Sequence, residues 1–308
     1  YKSNTKNQTL EIPISASSGY TAMYIQTGDI QNTGIELTVG SENKFGDLTW
    51  SSSFTATHNQ NKIVQLMDGE FYDPQGQLIT NPEYLGKGGV GSTEFRLYKG
   101  GTMGDLYTKN KLKRNEDGTM YLSESGQPVL ENELEKAGSV LPKWNLGFRN
   151  DFYYKNINFG FLISARIGGV VASTTQAIMD GYGVSKASAI ARDNANDKGL
   201  TMIEGTMVRP KDYYDVTGQA QGLMSNYIYK ANNVRLQEVS IGYTLHSAWF
   251  NDVVKLNVSF VGRNLWMIYN KAPFDPETTA STGTYYQGFD YFMQPSARNI
   301  GFTVRAQF

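Results

Sequence analysis

Two histidines, His58 and His246, no cysteine and a scatter of acidic residues are all that this sequence offers to metal or nucleophilic chemistry. The histidines stand far apart, and neither belongs to a His-x-x-x-His pair. Zinc ligation and a histidine base are therefore not built from them, and they read as polar strand-end or turn residues. Asp193, Asp197 and Glu204 fall at positions 1, 5 and 12 of a calcium-loop spacing. Ala195 occupies its third position and Lys198 its sixth, where a glycine has to make the turn. Asp275-Pro276-Glu277 is acidic enough to hold calcium, but a proline-initiated turn explains it without an ion. No Gly-x-Ser-x-Gly elbow exists for a serine hydrolase. Gly181-Tyr182-Gly183 and Gly88-Gly89-Val90-Gly91 follow no strand that feeds a helix, so neither cradles a phosphate. These residues point away from an enzyme, and neither a cofactor nor a metal is expected.

The remaining chemistry lies in charges and rings. Net charge is −1 with no basic run, which argues against nucleic acid as a partner. Arg149, Asp151, Arg166, Arg263 and Arg305 sit at alternate positions opposite apolar residues, as charges on the wet face of a sheet do. They are expected to pair with one another or with a plug, ahead of forming a substrate channel. The chain carries 20 Tyr and 15 Phe among 32 Gly, a composition of strands and turns. Tyr153, Tyr154, Trp249, Trp266 and Tyr269 fall near strand ends, where a membrane-interface girdle belongs. Tyr182, Tyr213, Tyr214, Tyr285, Tyr286, Phe289 and Tyr291 fall in long loops beside Asp212, Asp215 and Gln287. Rings there stack on sugars or peptides, contact a partner, or pack among themselves.

The elements that position these groups read as strands. From Ile300 to Phe308 every even residue is apolar and every odd one small, polar or charged. Leu256, Val258 and Phe260 alternate in the same way, as do Ile157 to Ile167, with Leu162 alone breaking the rule. Leu146, Phe148, Phe152 and Tyr154 oppose Gly147, Arg149 and Asp151. Ile35, Leu37 and Val39 form one face of another candidate, and Leu48, Trp50 and Phe54 of the next. The stretch 227–245 slips phase near Gln237-Glu238, which predicts a bulge. Weaker candidates lie at 2–12, 92–100 and 104–114.

This makes about ten strands, many near the ~9–11 residues that a tilted membrane strand needs and longer than most soluble strands. Short links at 41–46, 101–103, 155–156 and 246–252 alternate with long ones at 59–91, 115–142, 168–226 and 265–297. Outer-membrane barrels keep tight turns on one side and long loops on the other. The long loops carry turn pairs such as Asp73-Pro74, Asn81-Pro82 and Asp117-Gly118, and 185–200 predicts a short helix. No stretch is long and apolar enough for a membrane helix, which leaves a barrel open because alternation cancels in any average. We expect an all-β, antiparallel transmembrane β-barrel, with 1–308 a single partial domain.

Asn32-Thr33-Gly34-Ile35-Glu36-Leu37, Pro142-Lys143-Trp144-Asn145-Leu146-Gly147-Phe148 and Asn233 to Leu245 (NVRLQEVSIGYTL) then carry a resemblance. With Gly262-Arg263-Asn264-Leu265, Asp275-Pro276-Glu277 and the strand closing on Phe308, they resemble the C-terminal barrel portion of SusC/RagA-type TonB-dependent outer-membrane transporters of Bacteroidetes. The resemblance implies a bacterial outer-membrane location and TonB-driven import of a glycan or peptide nutrient. It also implies a SusD-like surface lipoprotein over the extracellular mouth. That family's barrel has about 22 strands, so the rest of the barrel, the plug and the TonB box are expected on other sequence. Phe302, Val304 and Phe308 are expected to face outer-membrane lipid and, by resemblance, to carry the barrel-insertion signal. A structural or assembly barrel without import, and a secreted carbohydrate-binding β protein, stay open at this point.

Overall fold

The computed structural model describes residues 1–13, 19–20, 22–26, 28–67, 69–73, 76, 78–79, 83–245, 254–283 and 286–307. Eight strands form its wall: β1 (Lys2–Thr5), β2 (Asp29–Phe45), β3 (Leu48–Gln65), β4 (Trp144–Tyr154), β5 (Ile157–Ile167), β6 (Asn233–Thr244), β7 (Lys255–Asn270) and β8 (Asn299–Gln307). Each pairs antiparallel with the next in chain order, giving one up-and-down sheet.

Period-2 alternation fixes this register, because a slip of one residue would turn every apolar side chain to the wet face. Directly opposed residues make apolar rows across the wall. One runs Val39, Phe54, Phe148, Ile163, Leu236, Trp266, and another runs Trp50, Phe152, Phe159, Ile241, Phe260, Phe302. Most of these side chains are solvent-exposed, Phe302 at 79%, as is Val304 on the same strand at 54%, and among the described residues no second sheet covers them. Apolar rows left uncovered over a whole sheet face are what lipid covers. Along β4 the belt runs from Trp144 to Tyr154. At ~3.3 Å per residue and a tilt near ~40°, that span is ~25 Å tall, the height of an outer-membrane barrel belt.

Alternation of connections holds in a cleaner form than expected. Gly46-Asp47 joins β2 to β3, Lys155-Asn156 joins β4 to β5, and 245–254 joins β6 to β7. Gly46 (φ +60°) and Lys155 (φ +52°) supply the left-handed residues that tight hairpins require. Residues 6–28, between β1 and β2, and three longer excursions at 66–143, 168–232 and 271–298 lie on the other side. The strand candidates 92–100 and 104–114 are strands, but not wall strands. With Tyr84–Lys87 and Leu130–Ser139 they form a separate four-stranded sheet inside the first longer excursion. The link 101–103 is thus a hairpin within a loop, and the wall holds fewer strands than the alternation count suggested. Among the described residues both sheet edges are open.

The predicted bulge lies at Gln237. Leu236 faces Trp266 and Glu238 faces Arg263, so Asn264 and Leu265 on β7 stand opposite Gln237 alone. Asn264 takes φ +52° there, a conformation that Asn reaches at low energy. Asn264→Val should destabilise the folded barrel by about 1–2 kcal/mol through backbone strain, and further through a lost side-chain bond. Asn264→Gly, which removes only the bond, should fall between wild type and Val. Thermal unfolding in detergent reads both, and equal midpoints for all three proteins would deny the strain.

The three longer excursions fold together into one roof. Phe95, Leu106 and Val140 of the first, Ala172, Ala177, Met224 and Tyr227 of the second and Phe289 of the third share one buried core. Val170–Ser173 pairs antiparallel with Ile228–Lys230 and parallel with Phe289–Asp290, joining the second and third excursions. The second also holds three helices, α1 (Thr174–Gly181), α2 (Lys186–Asp193) and α3 (Pro210–Thr217). The helix predicted within 185–200 is α2. The Ser185 hydroxyl accepts from the Ser188 amide at its start, as the Ser173 hydroxyl does from Gln176 for α1. Helix α3 starts with proline at its first turn.

Candidate functional site

The wet face of the wall carries a continuous set of ion pairs. Arg149 Nε and Nη2 donate to Asp151 at 2.8 and 3.1 Å, and Arg149 Nη1 lies 3.5 Å from Glu238. Arg263 Nε donates to Glu238 at 2.8 Å. Leu162, the residue that breaks the alternation of β5, stands directly between Arg149 and Glu238, so the ion pair spans it. Gly160 faces Asp151, and a Cβ there would meet the carboxylate at 2.5 Å. Toward the short turns, Asn257 Nδ2 donates to Asn158 at 2.9 Å and to Thr244 at 3.0 Å, and the Ser259 hydroxyl donates to Asn257 at 2.7 Å. These groups border a hollow of about 450 Å³. Arg305 also borders it and has no acidic partner within 4.0 Å among the described residues. The wall is therefore apolar on one face and polar, charged and largely ion-paired on the other.

Where wall meets roof, Arg235 of β6 is clamped. Its Nη1 donates to Asn264 and Asp275 at 3.2 Å each, its Nη2 donates to Asp275 at 2.7 Å, and Glu277 lies at 3.4 Å. Burial pushes the Asp275 carboxyl up. Hydrogen bonds from Arg235, Ser296 and the Glu277 amide, with the Arg235 charge, outweigh it and hold the group below the usual carboxylate range. Asp275-Pro276-Glu277 is thus an arginine clamp, with its carboxylates engaged by Arg235.

Within the roof, α1, α2, α3 and residues 271–273 surround a cleft of about 650 Å³. Its floor holds Asp180, which accepts from the Tyr227 hydroxyl at 2.9 Å and from Gln176 Nε2 at 2.8 Å. Burial, then the neighbouring Asp180 carboxylate, push the Tyr227 phenol far up, so it stays a donor. Tyr214 also lines an adjoining hollow of about 460 Å³ with Tyr182, Arg192 and Asp215.

Comparison with known proteins agrees with this geometry. No family model matches the chain. It is 25% identical over its whole length to TonB-dependent receptor P3 of Formosa agariphila, covering 32% of that protein. It is 22% identical over 83% of its length to the TonB-dependent receptor SusC of Bacteroides thetaiotaomicron, covering 24% of it. The fold superposes on a solved structure of the RagAB peptide importer in its open-open state with a TM-score of 0.65 at 17% identity, over 99% of this chain and 31% of that one. Over its whole length the chain resembles TonB-dependent receptors, SusC among its relatives, and its fold is that of part of a RagAB importer structure. It spans about a third of the length of the curated relatives it matches in full.

The geometry sorts the candidate site residues of this sheet and roof. Tyr182 is 72% exposed, and Tyr286 and Tyr291 are exposed as well. Tyr214 is half-buried between the two hollows. Phe289 is wholly buried at 0% exposure, edge-on to Phe95, and Tyr213 is 5% exposed. Tyr213 donates to Glu204 at 2.9 Å and accepts from Asn226 at 3.1 Å. These last two hold the roof together and lie beneath its surface, a correction to their reading as contact residues. Aromatic periodicity in a loop says nothing about which rings its own fold consumes. Glu204 is likewise paired with Arg114, and Asp193 and Asp197 do not cluster with it as metal ligands among the described residues.

Of the girdle aromatics, Tyr154 lies at the short-turn end of the apolar face, and Trp266 and Tyr269 lie at its roof end. Tyr153 borders the inner hollow instead, as its odd phase on β4 requires. The His58 ring lies tilted against Trp144 at the roof end, with centroids 4.6 Å apart. Phe302 and Val304 stand on the exposed apolar face. Tyr285, His246, Trp249, Asn81-Pro82 and Phe308 lie outside the described residues. Sequence reasoning missed the Arg235 clamp and the helix-lined cleft. Proline opening α3 and the acidic turn after β7 were the available signals.

Proposed function

We propose that this chain is wall and roof of an outer-membrane transporter that imports a glycan- or peptide-class nutrient with energy delivered through TonB. The observation that carries the reading is the division of one sheet into an exposed apolar belt and a polar, largely ion-paired inner face, with the three longest excursions sharing one core at one end. A sheet edge in lipid leaves backbone groups without partners, so further strands have to complete the wall. A plug supplies the acidic or polar surface that Arg305 and its neighbours face. A SusD-like lipoprotein covers the roof, touching exposed rings such as Tyr182, Tyr286 and Tyr291, with Phe302, Val304 and Phe308 reading as the insertion signal. The role we infer is passage and recognition.

The test is deletion of the gene for the whole transporter, with growth measured on defined peptide and glycan mixtures. Growth should be lost on one class and restored by the intact gene. It should not be restored when the proton gradient is dissipated or TonB is removed, and an epitope-tagged transporter should co-purify with a surface lipoprotein. Unchanged growth on every nutrient, with the envelope instead losing other barrels, would replace import by an assembly role.

A further inference from the structure

The roof cleft has a composition that the wall does not explain. Its volume, about 650 Å³, lies in the range of small-ligand sites. Ile190, Tyr214, Tyr229 and Pro273 give it apolar sides. Asp180 on the floor accepts from Tyr227 and Gln176, one bond to each oxygen, which holds its carboxylate at the bottom of the cleft, away from the rim. Lys186 and Lys271 stand exposed at the rim. Neither has an acidic partner within 4.0 Å among the described residues, whereas the arginines of the inner wall nearby are largely paired. Two unpaired ammonium groups over an apolar hollow ask for an occupant with carboxylates at its edge and hydrocarbon in its middle. Gln176, Asn226 and the rings of Tyr213 and Tyr227 also line the cleft, so an anionic sugar is the competing occupant, and the choice of probes separates it from a peptide.

We infer that this cleft receives a short acidic peptide, with an apolar side chain seated against Ile190, Tyr214 and Tyr229 and carboxylates held between Lys186 and Lys271. The inference deepens the import reading and rests on it for the cleft's purpose, though not for its chemistry.

The experiment uses the whole transporter in detergent and three hexapeptide probes, ALEELA, ALQQLA and ALKKLA. Calorimetry should show ALEELA binding at least about tenfold more tightly than ALKKLA, with the preference shrinking as salt rises. Lys186→Glu combined with Lys271→Glu should invert the order of the acidic and basic probes, an outcome that misfolding cannot imitate. Tyr214→Ala should weaken all three probes alike. Equal binding of the probes, or an order that the double variant leaves unchanged, overturns the inference. Binding of oligogalacturonate in the place of ALEELA, with the same dependence on the lysines, also overturns it in favour of an anionic glycan. Loss of energised uptake with probe binding intact would remove the import reading and leave the cleft assignment standing.

Discussion

Arg235→Met should lower the stability of the folded transporter by about 3–5 kcal/mol, the effect of stranding a buried carboxylate without its cation. Arg235 is 4% exposed, and Asp275 closes over it with both oxygens engaged. The double variant Arg235→Met/Asp275→Leu should recover most of the loss, because it leaves no orphaned charge and fills a comparable volume. Thermal unfolding in detergent measures both, and limited proteolysis of 271–298 reports whether the third excursion has left the wall. The pH dependence has a definite sign. A carboxyl held below its unfolded value, ~3.9, stabilises the fold above that value and loses its contribution as pH falls through the folded one. The gap between wild type and Arg235→Met should therefore be full at neutral pH and close in acid below about pH 4. A single variant as stable as wild type, or a double variant no better than the single, would show that the clamp is ornamental.

Val304→Arg should be nearly as damaging, at about 2–4 kcal/mol if the site lies near the bilayer midplane and less toward a rim. Its neighbour Thr303 points the other way, onto the hydrated face beside Arg305. Thr303→Glu should be close to neutral, so two adjacent residues on β8 separate lipid from lumen. The comparison is read as the fraction of heat-modifiable, folded barrel recovered from outer membranes and by unfolding in lipid discs. Equal losses at both positions would mean that the apolar rows face protein, and the belt assignment would fall.

The wall was legible in the sequence because a sheet with one face in lipid and one in water writes its geometry with period two. Ile157 to Ile167 and Ile300 to Gln307 could be assigned to faces residue by residue. The phase slip at Gln237 marked the bulge that lets Arg235 and Glu238 both point inward. Period two cannot say which sheet a strand joins, so 92–100 and 104–114 were placed in the wall when they belong to the roof. The roof itself was poorly legible. Its segments are short, their apolar residues meet across more than a hundred positions, and Phe95 and Phe289 look like surface aromatics until they are brought edge to edge. Helix α1 starts on two threonines, weak helix formers, and is held by its Ser173 cap and by burial of Ala177. The acidic turn 275–277 was visible, but its partner lies forty residues upstream on a wall strand.

The shared core of the three excursions bears on how such proteins diversify. Phe289 from the third fills a space bounded by Phe95 from the first and Ala172 and Met224 from the second. A loop moved alone into a distant relative would arrive without the surfaces that complete it, leaving a hole or a clash where these side chains met. Exchange of specificity by recombination has to carry all three excursions, or proceed by small changes at the cleft rim, where Lys186 and Lys271 touch none of this packing. Lineages that share this core are free to vary charge around the opening while inheriting the roof as a single unit.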